Sequence, residues 1–112
     1  MKSQVSPFLV RDFLLYVIRN RRPYVFNIKH SDHLAVDYRD FFAYAYYVRG
    51  EKITAPEAVG LFKTYAPLYL DELIRRGLVR EYKIEKEKRV RPAKVHIFLN
   101  GKANVEAAVD AT

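Results

Sequence analysis

The sequence predicts a mainly α domain completed by a small β-hairpin, an α+β fold, and two observations carry that prediction. Apolar residues recur at helical spacing through 8–18, 41–48 and 58–74. Downstream the pattern changes to alternation, first over 78–86 and again at Val95, Ile97 and Leu99. Between the alternating runs lies Glu85-Lys86-Glu87-Lys88-Arg89-Val90-Arg91-Pro92, a charged stretch closed by a proline and suited to a turn in water.

The first helix opens at Ser6-Pro7, with Ser6 as N-cap and Pro7 at the first helical position. Phe8, Leu9, Phe13, Leu14, Tyr16, Val17 and Ile18 leave polar positions only at Arg11, Asp12 and Arg19, so this helix is too apolar to keep one face wet. It ends at Asn20-Arg21-Arg22-Pro23, because proline biases its predecessor away from helix. Residues 24–28 alternate weakly and read as a short strand, and His30-Ser31-Asp32-His33 reads as a loop or helix start. Two histidines and an aspartate invite a metal reading, but the spacing matches no common zinc framework, so turn and capping roles are expected and no metal. A further helix runs from Tyr38 to Val48 between Asp37 and Gly50, and Glu51-Lys52-Ile53 is expected to supply a short strand beside the hairpin.

Thr54-Ala55-Pro56-Glu57 fits a capping box: a Thr hydroxyl accepts from the Glu backbone N–H, and the Glu carboxylate reaches back. Ala58, Leu61 and Phe62 then form one apolar face, and Lys63-Thr64-Tyr65 interrupts it, which predicts a turn. A second helix is expected from Ala66-Pro67, facing the core through Ala66, Leu70, Leu73 and Ile74. Arg75 and Arg76 suit its last turn, and Gly77 its C-cap. The first strand places Leu78, Arg80, Tyr82 and Ile84 on one face.

A chain of 112 residues supports one domain. It has no cysteine, which excludes disulfide and thiol chemistry and fits a cytoplasmic location. No apolar run is long enough to span a bilayer, and no secretion signal is evident at the N-terminus. The four glycines form no phosphate loop, no Gly-x-Ser-x-Gly elbow exists, and His96 reads as a strand surface residue, so neither catalysis nor a cofactor is expected. The abundance of Lys, Arg, Glu and Tyr suits a protein from a hot environment. Net charge is +7 and unevenly placed: between Arg75 and Lys94 nine basic residues face three acids, an electrostatic footprint for phosphate backbones.

Helix, tight turn, helix and a hairpin with a cationic tip, in that order, resemble the winged-helix form of the helix-turn-helix domain. The resemblance implies one winged-helix domain over 1–112, with an accessory dimerisation helix at 1–23, a core at 37–100 whose first helix is Tyr38–Val48, and a tail at 101–112. It further implies a small DNA-binding transcriptional regulator, with double-stranded DNA as partner and RNA as the alternative polymer. Lys86, Lys88, Arg89 and Arg91 would contact backbone or minor groove, Lys63, Thr64 and Tyr65 would face the duplex, and Arg75, Arg76 and Lys94 would add charge. A homodimer is expected, with Phe13 and Val17 near the contact. In this family the second helix of the pair reads bases. The matching positions here are Tyr65, Pro67, Leu68, Tyr69, Asp71 and Glu72, which offer poor donors and two acids, so weak base preference is expected. The alternative is an interaction module in a larger nucleic-acid-processing or ribosomal-type assembly, docking through Tyr65, Pro67, Leu68 and Tyr69.

Overall fold

The structure, a computed structural model, describes residues 6–20, 33–90 and 92–101. Its elements are α1 (Phe8–Asn20), β1 (His33–Val36), α2 (Tyr38–Ala43) running on into a π-helical turn (Tyr44–Val48), α3 (Ala55–Arg75), β2 (Val79–Glu85) and β3 (Lys94–Leu99). The strands form one antiparallel sheet with β3 in the middle, β1 on one side and β2 on the other. The described residues form an α+β fold of three α-helices and a three-stranded sheet.

The helix ends follow the local signals. The Ser6 hydroxyl accepts from the Phe8 N–H at 3.1 Å. At α2, Asp37 accepts from the Arg39 N–H at 2.8 Å, while the Asp37 N–H donates to Asp40 at 2.9 Å, and both carboxylates are buried. At α3 the capping box forms as the sequence predicts, with Glu57 N–H to Thr54 Oγ1 at 3.2 Å and Thr54 N–H to Glu57 Oε1 at 2.8 Å. Gly77 takes φ +85°, and the bonds Gly77 N–H to Ile74 O and Leu78 N–H to Leu73 O close a Schellman motif that turns the chain into β2.

The largest departure from expectation is that no turn interrupts 63–65. One 21-residue helix, α3, spans both expected helices and carries Pro67 in its interior. Pro67 leaves the Lys63 carbonyl without its helical donor, at a cost of about 3 kcal/mol. Ala58, Phe62, Ala66, Leu70 and Leu73 nevertheless form one buried stripe across that point. Burial of a large apolar side chain contributes roughly 1.5–3 kcal/mol, so three of these outweigh the proline. Lys63 and Thr64 are simply the wet side of one helix.

The expected strand at Glu51-Lys52-Ile53 does not form. Glu51 N–H instead bonds to Ala45 O at 2.8 Å, and Ile53 is buried in the core. The strand beside the hairpin is β1, so His33, expected in a loop or helix start, opens a strand. Val79 rather than Leu78 starts β2, and a register shift between Val79 and Glu81 lets both Leu78 and Val79 face inward. Beyond it Tyr82 pairs with Ile97 and Ile84 with Val95 on the helix-facing side. The expected strand at 24–28, the arginines at 21 and 22, His30, Asp32 and the tail from 102 lie outside the described residues.

α1 packs within the same core as α2 and α3. Phe13 meets Phe41 and Phe62 edge-on at 5.7 and 6.0 Å between ring centroids, with Tyr44 at 5.6 Å. Phe13 and Val17 are 0% exposed, which corrects their expected place at a dimer contact: they are covered by their own chain. Among the described residues no helix is long and apolar enough to cross a membrane.

Candidate nucleic-acid interface

The N-terminal half of α3, the start of α2 and the hairpin tip enclose a groove of about 690 Å³. Phe62, Ala66 and Val95 are buried at its floor, whereas Val59 from α3 and Ile84 from β2 remain exposed on facing walls. Ile84 points to the helix side of the sheet but meets the groove rather than packed helix, which explains its exposure. Cations stand around this apolar interior: Arg39 from α2, Lys63 from α3, and Lys88 and Arg89 from the hairpin, against one lining acid, Glu87. An adjoining depression of about 500 Å³ is lined by Arg39, Lys86, Lys88 and Lys94 with Glu85 as its acid.

The cations differ in how they are held. Arg39 donates to both oxygens of buried Asp37, through Nη2 at 2.8 Å and Nε at 3.3 Å, and this pairing raises its pKa further. Lys88 lies 3.8 Å from Glu85 across an exposed pair. Lys63, Lys86 and Arg89 have no carboxylate within 4 Å among the described residues. Hydrogen bonding from His96, reinforced by Lys88, holds the Glu85 carboxyl below its ordinary value.

The structure therefore gathers Lys63, Lys88 and Arg89 at one groove, with Lys86 and Lys94 beside it. Thr64 is exposed next to Lys63 but does not line the groove. Tyr65 faces elsewhere: its ring lies 6.3 Å from Tyr69, which lies 6.1 Å from Phe8. Arg75 and Arg76 stand twelve residues and more beyond Lys63, about 18 Å along the helix axis, and Arg76 is paired with Glu72 at 3.2 Å. Arg91 lies outside the described residues. The two acids on α3 are occupied: Glu72 accepts from Arg11 at 3.2 Å as well, and Asp71 accepts from the Tyr82 hydroxyl at 3.1 Å. Phe8, at 63% exposure, meets Tyr69 and through it Tyr65 in a separate apolar cluster, and Leu68, at 58%, is exposed on the same helix as the two tyrosines.

Sequence reasoning missed Arg39, Val59 and Ile84 as groove residues. It also treated His33 and His96 separately, sixty-three positions apart. His33 Nε2 and His96 Nδ1 are 3.0 Å apart, and His96 Nε2 lies 3.0 Å from Glu85 Oε1. A carboxylate only accepts, so it is His96 Nε2 that donates to Glu85. His33 also stacks on Phe98 at 4.5 Å. The three groups run as a chain across the outer face of the sheet, and among the described residues no His, Cys, Asp and Glu group is arranged to hold a metal. No family model matches the chain, and no curated protein or solved structure matches it either.

Proposed function

We propose that this is a winged-helix nucleic-acid-binding protein, a small transcriptional regulator that grips duplex DNA between α3 and the hairpin. The observation that carries the reading is the convergence of Lys63 from α3 with Lys86, Lys88 and Arg89 from the hairpin tip on one side of the molecule, three of the four having no carboxylate within 4 Å among the described residues. The element order supports it in a shifted frame. Helix, strand, helix, turn, helix and hairpin correspond to α1, β1, α2, residues 49–54, α3 and β2–β3. The helix-turn-helix pair is then α2 and α3, one helix earlier than the sequence suggests, and the wing is β2–β3. The N-terminal half of α3 offers Val59, Gly60, Lys63 and Thr64 to a duplex, while Asp71 and Glu72 are bonded near the other end. These side chains supply phosphate contacts and little base readout, so weak sequence preference follows.

Duplex titration over a range of salt concentrations tests this. Each neutralised phosphate contributes a log–log slope of about −0.9, so Lys63→Ala with Arg89→Ala should weaken binding and flatten the slope by about two such steps. An unchanged slope overturns the reading. The Phe8–Tyr69–Tyr65 cluster and the exposed Leu68 favour a second reading, a protein-docking module. Leu68→Ala should then alter partner capture and leave DNA affinity unchanged.

A further inference from the structure

We propose that the groove between α3 and the hairpin is a binding site for a hydrophobic monocarboxylate, a small molecule with an apolar body and one anionic head. A phosphate backbone asks only for charge and hydrogen-bond donors. This groove has instead an apolar interior, with Val59 and Ile84 facing it from opposite walls and Phe62, Ala66 and Val95 beneath. Water gains nothing from such walls, while an apolar ligand body removes them from solvent. The volume, about 690 Å³, falls within the roughly 300–1,000 Å³ of small-molecule sites.

The head group is fixed by charge. Lys63 and Arg89 stand on the rim from opposite sides, with no carboxylate of their own among the described residues, and Arg89 can take a carboxylate in two-point fashion. The site is thus cationic at its mouth and apolar inside, complementary to an amphipathic anion. Lys63 and Arg89 are also proposed phosphate contacts. Resting on that nucleic-acid reading, the carboxylate and the duplex compete, and each weakens the other by the same factor. The binding itself does not depend on that reading.

The test is titration of the whole chain with decanoate and, in parallel, with uncharged decanol, both kept below self-association, followed by methyl NMR. Decanoate should saturate, with shifts concentrated at Val59, Ala66, Ile84 and Val95, and bind about tenfold more tightly than decanol because one charge-assisted contact is worth about that factor. Ile84→Thr, at an exposed position outside the proposed duplex contacts, should lower decanoate affinity and leave the salt slope on duplex DNA unchanged. Lys63→Gln with Arg89→Gln should bring decanoate down to decanol. No saturation, shifts spread elsewhere, or decanol binding as well as decanoate overturns the site. So does an acidic amphipathic peptide that moves these methyls when decanoate does not. Saturation by decanoate in a protein that ignores duplex DNA upholds the site and removes only the nucleic-acid reading, whereas decanoate binding with undiminished duplex affinity overturns the competition.

Discussion

The two halves of α3 share one helix and one buried stripe but differ in what their outer faces are tied to. Toward the C-terminus, Glu72 bridges Arg11 of α1 and Arg76, Asp71 takes the Tyr82 hydroxyl of β2, and Asn100 Nδ2 donates to Gly77 O at 2.7 Å. Toward the N-terminus, past the capping box, Val59 and Lys63 face the groove, and Lys63 has no carboxylate within 4 Å among the described residues. The acids of the C-terminal half are engaged by the fold, whereas Lys63 in the N-terminal half lines the groove. Charge alone would not separate the halves, since both carry basic residues. What separates them is that the acids of the C-terminal half, Asp71 and Glu72, are held by neighbouring elements, whereas its Arg75, like Lys63, has no carboxylate within 4 Å among the described residues.

The comparison breaks first at the inner face, where both halves are structural. Phe62 lies in the N-terminal half but packs against Phe13 and Phe41. Phe62→Ala should cost about 3–5 kcal/mol in chemical denaturation, more than a change at the exposed Val59 or Lys63. A smaller effect is expected at the junction. Pro67→Ala restores the missing N–H to the Lys63 carbonyl and should stabilise the protein by about 1–3 kcal/mol, somewhat offset by the freer unfolded chain. A loss of stability there would mean that the ring's packing at the groove edge matters more than the helical bond. The smallest effect sharpens the contrast. Glu72→Gln should cost about 1 kcal/mol by leaving half-buried Arg11 without its ion pair, whereas Lys63→Gln should leave the unfolding midpoint unmoved.

Much of the fold is written in short-range signals. The box at Thr54, the glycine cap at Gly77 and the alternation at Val95, Ile97 and Leu99 each act within a few residues, and each appears where the sequence places it. The continuity of α3 was also present, as a stripe at Ala58, Phe62, Ala66, Leu70 and Leu73, but local breakers obscured it. Lys63-Thr64 and Pro67 argue for a break by propensity, and only the energy of the packed stripe decides against them. β1 is harder still to read. Four residues carry little pattern, and the strand exists because β3 offers it a partner sixty positions away. The candidate site was legible as a charge cluster and not as a groove, because Val59, Ile84 and Arg39 meet only once helix and hairpin are packed. The buried Phe13 and Val17 show the same limit: an apolar helix announces that it needs covering, not which chain covers it.

The chain of His33, His96 and Glu85 takes one residue from each strand of the sheet. Side chains on a strand alternate faces, so sliding either neighbour of β3 by one position would carry its member of the trio to the helix side, among apolar residues. The trio therefore works as an alignment check. It closes only when both ladders are in phase, and its stack on Phe98 adds a further condition on β1. In a sheet whose first strand must find its place after most of the chain has been threaded, such a check discriminates among near-miss pairings that the short apolar faces alone would tolerate.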